Sequence, residues 1–161
     1  MRKIAILKKY LSHYFSAKSR FCIHSPFILN FIDNVLVAKK SNPKINDIES
    51  LRSSLLKNNR EIKVTDYGSG SEKNSERYSR SIKYIAKNHL KSKKEAQVLY
   101  NLIDYYSPEN IVELGTSLGI TTLYLSVGNS KSNIITIEGS PDTAEIAKDN
   151  FERLNATNIT S

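Results

Sequence analysis

The chain has 161 residues, with 24 basic and 16 acidic side chains, 39% hydrophobic residues, one cysteine, no tryptophan and six glycines. That is the size of one ordinary domain. No run approaches the roughly 18 consecutive apolar residues that cross a bilayer, and with a quarter of the residues charged a membrane-spanning or collagen-like chain is excluded. Cys22 stands alone, so no intramolecular disulfide and no cysteine zinc cluster can form, which suits a reducing cytoplasm.

The charge is divided along the chain. Residues 1–94 hold 21 basic and 7 acidic side chains, net +14, whereas residues 95–161 hold 3 basic and 9 acidic ones, net −6. Two regions follow from this, a basic N-terminal extension over 1–94 and a second region over 95–161. A basic face attracts anionic partners. Nucleic-acid binding is nonetheless disfavoured, because lysine, asparagine, isoleucine and serine are plentiful throughout and a basic balance alone reports electrostatics and not a binding fold.

The first residues, Met1 to Leu7, begin like a signal peptide, but Lys8 and Lys9 interrupt the apolar stretch and no small-residue cleavage site follows, so they read as mature protein. Ile4, Leu7, Leu11 and Phe15 stand at helical spacing, predicting an amphipathic helix from residue 2 to about 16 that docks on the body of the protein rather than on a membrane surface. Ser25 and Pro26 are a helix start, the serine as N-cap and the proline at the first helical position. Phe27, Phe31 and Val35, with Ile28, Ile32 and Leu36, are expected to form its buried face. His24, just ahead of the cap, reads as structural. Ser41-Asn42-Pro43 breaks this helix, and a shorter one is expected from about Asp47 to Leu56.

Residues 61–67 alternate weakly, like a short strand, and run into Gly68-Ser69-Gly70-Ser71, a turn or lid rather than a dinucleotide fingerprint. Tyr78, Ile82 and Ile85 mark another helix. Ser92 and Glu95 form a capping box ahead of a helix whose stripe is Val98, Leu99, Leu102, Ile103 and Tyr106 and which Pro108 ends.

From residue 110 the pattern becomes strand, glycine turn, helix, strand, helix, the sequence form of a parallel βαβα unit. The residues from Ile111 to Leu114 read as a short buried strand that leads directly into Gly115-Thr116-Ser117-Leu118-Gly119. A helix then runs to Gly128, and a second strand, residues 134–137, ends at Glu138. Ser140 and Pro141 open the next helix, with Asp142 and Glu145 in its positively polarised first turn and Ala144, Ala147, Phe151 and Leu154 on its buried side. Such a unit binds ligands at the carboxyl ends of its strands, where Gly115 and Gly119 let the backbone approach a bound molecule closely. Glu138 lies 23 residues beyond Gly115, near the spacing of about 20 at which nucleotide folds place the acid that binds a ribose diol. Glu113, an acid between apolar neighbours on a buried strand, calls for a cationic partner.

The segment from Val112 to Thr122, continuing through Thr136-Ile137-Glu138-Gly139-Ser140 and Ala144 to Phe151, resembles the class I S-adenosylmethionine-dependent methyltransferases, in particular their small-molecule O-methyltransferase branch. Upstream, His24-Ser25-Pro26-Phe27, residues 66–71 and the helix before Pro108 resemble the N-terminal helical extension of a bacterial group of these enzymes typical of Bacteroidetes. The resemblance implies a fold in which that extension precedes the first βαβα half of a Rossmann-like parallel sheet, and S-adenosylmethionine as cofactor. Glu113 would face its methionine end, where the ammonium is. Gly115, Thr116, Ser117 and Gly119 would form the loop around the cofactor, Glu138 would hold the ribose hydroxyls, and Gly139 and Ser140 would lie by the adenine. Ser117 stands where many methyltransferases have a second glycine, a departure the O-methyltransferase branch tolerates.

The family fold has a seven-stranded sheet, and residues 158–161 are where its third core strand should begin, so the chain reads as C-terminally truncated, carrying the cofactor-binding half and inactive by itself. The implied reaction is methyl transfer to an unidentified acceptor, expected to be a small molecule. No convincing general base is evident, and His24, Asp66 and Tyr67 read as loop residues rather than cleft residues. The competing class is a non-catalytic nucleoside-binding or interaction module. A dinucleotide oxidoreductase is disfavoured because the first turn lacks the Gly-x-Gly-x-x-Gly pyrophosphate cradle.

Overall fold

A computed structural model of the chain describes residues 2–17, 22–65 and 77–161. The first helix, α1 (Arg2–Ser16), forms where its periodicity predicts it, but its apolar stripe does not dock. Leu7 is 57% and Phe15 81% exposed, with Ile4 and Leu11 also facing solvent. Periodicity fixes which side chains share a face of a helix; it does not supply an opposing surface.

Helix α2 (Pro26–Phe31) starts as expected, with the Ser25 hydroxyl accepting from the Ile28 amide at 3.4 Å and Pro26 at its N-terminus. It continues into one π-helical stretch, Ile32–Leu36. The wider turn changes the angular step per residue, so the expected buried face is not kept in line. Val35 alone is fully buried there, while Phe27, Ile28 and Leu36 are exposed. The segment is anchored instead through the buried Asn101, whose Nδ2 donates to the carbonyls of Val35 and Ala38, both at 2.9 Å.

Helix α3 (Pro43–Leu55) begins four residues earlier than expected. Asn42 and Pro43, read as a breaker, are also a start signal: the Asn42 side chain accepts from the Lys44 amide at 3.0 Å. Ile45, Ile48, Leu51 and Leu55 form its buried stripe.

Strand β1 (Glu61–Thr65) pairs antiparallel with β2 (Arg77–Ser81), from Glu61 opposite Ser81 to Thr65 opposite Arg77. Tyr78 therefore belongs to a strand and not to a helix. Helix α4 (Ile82–Asn88) starts only after Ser81, whose hydroxyl caps it by accepting from the Tyr84 amide at 3.2 Å. Asp66, Tyr67 and the stretch from Gly68 to Ser71 lie outside the described residues.

Helix α5 (Lys93–Tyr106) carries the predicted capping box, with Ser92 Oγ accepting from the Glu95 amide at 3.3 Å and Glu95 Oε2 from the Ser92 amide at 2.8 Å. Its buried line is Ala96, Tyr100, Asn101 and Ile103, so of the predicted stripe only Ile103 is fully buried, and Tyr106 is exposed. The helix is covered on one side by α6 (Ile120–Gly128) and on another by the π-helical stretch, and these two neighbours rotate its buried side away from the most apolar line.

The parallel sheet consists of β3 (Asn110–Leu114), β4 (Asn133–Ile137) and β5 (Ile159–Thr160), in that order. Register runs from Asn110 opposite Asn133 to Leu114 opposite Ile137, and β5 joins at Ile134 opposite Ile159. Helix α6 links β3 to β4, and α7 (Pro141–Arg153) links β4 to β5. The predicted β-α-β-α order is present.

The expectation that β3 is a buried strand is not met: none of its side chains is fully buried, Ile111 and Glu113 being half-buried on one face and Val112 and Leu114 exposed on the other, and it is β4 that buries one face. Side chains alternate across a strand, and Ile134 and Thr136 are buried whereas Val112 is 64%, Leu114 79%, Ile135 41% and Ile137 54% exposed. The main core lies among the helices. Ile45, Ile48, Leu51, Ile82 and Ile85 pack with Leu118, Ile120, Leu123, Tyr124, Ile146 and Phe151 in one cluster, which draws residues from both sides of position 94. The hydroxyl of the buried Tyr124 donates to Glu49 Oε1 at 2.8 Å, and Arg52 Nε donates to the same oxygen at 2.9 Å. Burial and the neighbouring carboxylate push the Tyr124 phenol well above its ordinary range.

Candidate functional site

The chain turns sharply at the carboxyl end of β3. Gly115, Ser117 and Gly119 all have positive φ, at 92°, 51° and 78°. The amides of Gly115 and Thr116 both donate to the Ile137 carbonyl, at 2.8 and 3.3 Å, which folds the bend over the end of β4. Left-handed backbone is unfavourable for a residue with a Cβ, so Ser117 needs an external hold. Glu138 provides it. Its Oε2 accepts from the Ser117 amide at 2.8 Å while Oε1 accepts from the Ser140 amide at 3.0 Å, tying both loops to one carboxylate.

The two glycines differ. A Cβ added to Gly115 meets nothing within 4 Å, so this position opens onto free space beside the bend. A Cβ on Gly119 would lie 2.5 Å from Phe151 Cε1 and 2.9 Å from its Cζ. Close packing of the bend against α7 accounts for the glycine at 119.

Gly115, Ser117 and Glu138 line a common cleft of about 270 Å³. Its other wall comes from residues that the sequence did not point to: Val64 and Thr65 of β1, Arg80 of β2, and Ile85 and His89 of α4. Hydrogen bonds to the start of α7 hold β1 in place. The Lys63 amide donates to Asp142 Oδ2 at 3.0 Å and the Thr65 amide to Ser140 Oγ at 3.3 Å, while Thr143 Oγ1 donates to the same serine oxygen at 3.0 Å. Arg80 and His89 carry no local signal, because only the β1–β2 pairing brings them to the sheet.

The remaining predicted site residues are placed otherwise. Glu113 is half-buried beneath the bend, its Oε2 accepting from Thr122 Oγ1 at 2.5 Å and Thr136 Oγ1 at 2.8 Å. Desolvation raises its pKa and the two threonine hydrogen bonds oppose that rise. The partners found are hydroxyls, where a cation was expected. Thr116 is buried, with Oγ1 2.6 Å from Thr136 Oγ1, and Ser140 is buried under β1, so neither side chain lines the cleft. Gly139 is exposed between Glu138 and Ser140. His24 is exposed ahead of α2.

A larger cavity of about 520 Å³, lined by Asn42, Lys44, Ser126 and Asn158 among others, opens near the other end of the strands, where α6 finishes and β5 begins. It holds no glycine bend, and α/β sheets bind ligands at their carboxyl ends. Among the described residues no group of three or more His, Cys, Asp or Glu side chains could hold a metal ion, and no helix is long and apolar enough to cross a membrane.

No family model matches the sequence and no curated protein matches it. Solved structures do. An O-methyltransferase from Bacillus cereus in complex with SAH is 19% identical, with 83% of this chain and 49% of that one covered at a TM-score of 0.46. Cofactor-bound Rv0187 from MTB is 18% identical, covering 86% and 50% at 0.48, and the SAH-bound Podospora anserina methyltransferase PaMTH1 is 16% identical, covering 76% and 50% at 0.45. The chain spans about half the length of these proteins. At this level of likeness, function has to be argued from the cleft itself.

Proposed function

We propose that the cleft binds S-adenosylmethionine and that this chain is the cofactor-binding part of a methyltransferase, acting on a small-molecule acceptor in the cytoplasm. The observation that carries this reading is the carboxylate of Glu138 facing the same hollow as the open backbone of Gly115. A carboxylate has about four lone-pair sites. Glu138 uses one on each oxygen for the Ser117 and Ser140 amides, which leaves acceptor capacity on both oxygens for the two hydroxyls of a ribose. The amide bonds also fix the carboxylate in place before a ligand arrives, so little side-chain entropy is lost on binding. Gly115 lets the ligand approach the backbone where a Cβ would otherwise project. When bound, the cofactor supplies an electrophilic methyl group on sulfur for in-line transfer to a nucleophilic oxygen, nitrogen or carbon. The part of these residues is to hold and orient.

Calorimetric titration with S-adenosylhomocysteine tests the reading. The wild-type chain is expected to bind, and Glu138→Ala to weaken binding by roughly 1.5–3 kcal/mol, the range for hydrogen bonds to charged groups. Equal affinity of the two proteins contradicts the ribose assignment.

A further inference from the structure

Helix α1 separates its side chains into two faces and keeps both in solvent. Ile4, Leu7, Leu11 and Phe15 fall on one stripe, bordered by Tyr10 and Tyr14, and each of these six is at least 43% exposed. The Tyr10 and Tyr14 rings stack with centroids 6.4 Å apart, and Tyr14 meets Phe15 edge-on at 5.6 Å, so the aromatic part of the stripe is continuous. Lys8, Lys9, Ser12, His13 and Ser16 line a shallow hollow on the other face. Charge is one-sided as well. Residues 2–16 contain four lysine and arginine side chains and no aspartate or glutamate, and the first acidic residue of the whole chain is Asp33.

A partner that satisfies this helix offers apolar volume to the stripe and negative charge to the lysines within one side-chain length of it. Nucleic acid supplies phosphates but nothing to bury Ile4, Leu7 and Leu11. The α1 helix of a second copy supplies apolar area but brings a further set of basic groups with no acid to pair them. An anionic lipid surface supplies both, the acyl boundary for the stripe and the headgroups for the lysines. We infer that α1 binds peripherally to such a surface. Its 15 residues reach about 22 Å, short of the roughly 30 Å hydrocarbon core, so it lies in the plane of the interface. Ile4, Leu7, Leu11 and Phe15 insert, Tyr10 and Tyr14 sit at headgroup level, and Lys8 and Lys9 extend their ammonium groups to the lipid phosphates. The same surface repels residues 95–161, with their net charge of −6, which turns the basic extension towards the lipid. This inference rests on α1 and is independent of the cofactor cleft.

Flotation of the full chain with lipid vesicles tests it, using vesicles of phosphatidylcholine and phosphatidylglycerol in equal parts and vesicles of phosphatidylcholine alone. The wild type is expected to float with the mixed vesicles and to bind phosphatidylcholine at least about tenfold more weakly. Raising the salt from about 0.1 M to about 1 M, which shortens the screening length from about 10 Å to about 3 Å, should remove most of that difference. The double variant Leu7→Gln, Phe15→Gln keeps good helix formers and should bind mixed vesicles about tenfold to hundredfold more weakly. The double variant Lys8→Gln, Lys9→Gln should lose about thirtyfold on mixed vesicles and change by less than about twofold on phosphatidylcholine. All four side chains are exposed, so the melting temperature is expected to stay unchanged in both variants, which reports that they are folded. If the wild type floats with neither vesicle, the inference is overturned. Equal binding of the Leu7, Phe15 variant and the wild type overturns insertion of the stripe, and equal binding to both kinds of vesicle overturns the selection of anionic lipid. A concentration-dependent dimer that does not float and that Leu7→Gln, Phe15→Gln disperses would make a second copy the occupant of this face and overturn the inference in favour of self-association.

Discussion

Gly115 and Gly119 sit four residues apart in the same bend and share the left-handed backbone, yet their surroundings give them different work. Alanine at 119 meets both the unfavourable φ and the Phe151 ring, so Gly119→Ala is expected to destabilise the protein by about 2–4 kcal/mol, combining overpacking with left-handed strain. Gly115→Ala carries the strain alone, about 1–2 kcal/mol. Urea titrations of the two variants check the ordering, and comparable losses would contradict the distinction. Glu113 gives a prediction of a different kind. Its pKa is raised above 4.5 by burial, so the folded protein keeps a proton that the unfolded chain has released. Stability therefore falls as pH rises from about 4.5 through the raised value, and the penalty is complete only above it. Glu113→Gln keeps an oxygen to accept from Thr122 and Thr136 and carries no charge. The variant is expected to be at least as stable as the wild type at pH 7 and to lack this fall, measured as melting temperature between pH 4 and pH 8. A marked loss of stability at pH 7 would instead show that the negative charge is required.

Among the elements, the β1–β2 hairpin is the one that completes the cleft, and its attachment to α7 is narrow. Ser140 joins the Thr65 amide to Thr143, and Asp142 takes the Lys63 amide. Ser140→Ala leaves the Thr65 amide and the Thr143 hydroxyl without this partner, and a cost of about 1–2 kcal/mol is expected, with faster hydrogen exchange at the Thr65 amide. Unchanged exchange there would show that the hairpin is held by other contacts. The same hairpin marks the limit of what sequence made legible. The capping box at Ser92, the glycine bend and the alternation of strands with helices after residue 110 are local patterns, each contained within a few residues, and all were readable. Strand β2 was not, because Tyr78, Ile82 and Ile85 fit helical spacing and only pairing with β1 holds residues 77–81 extended. Arg80 and His89 stayed hidden for the same reason, as did the sidedness of β3, which depends on what covers each face of the sheet.

For the molecule as a whole, the sheet is covered on one face and open on the other, where Val112, Leu114, Ile135 and Ile137 stand exposed. Parallel sheets are ordinarily covered on both faces. The described residues place α6, α7 and the core cluster on the covered side, and the cleft at the carboxyl ends of β3 and β4 is assembled from that side alone. The walls of the cleft therefore do not depend on what covers the open face, and ligand binding to it can be tested with this chain. The most direct measurement is an amide-resolved NMR titration of the labelled protein with S-adenosylhomocysteine. Saturable shifts are predicted at the amides of Gly115, Ser117 and Ser140, the latter two because their acceptor is the carboxylate that meets the ligand, and these shifts should vanish in Glu138→Ala. Shifts confined to the cavity around Asn42 and Asn158, or none at all, would contradict the account.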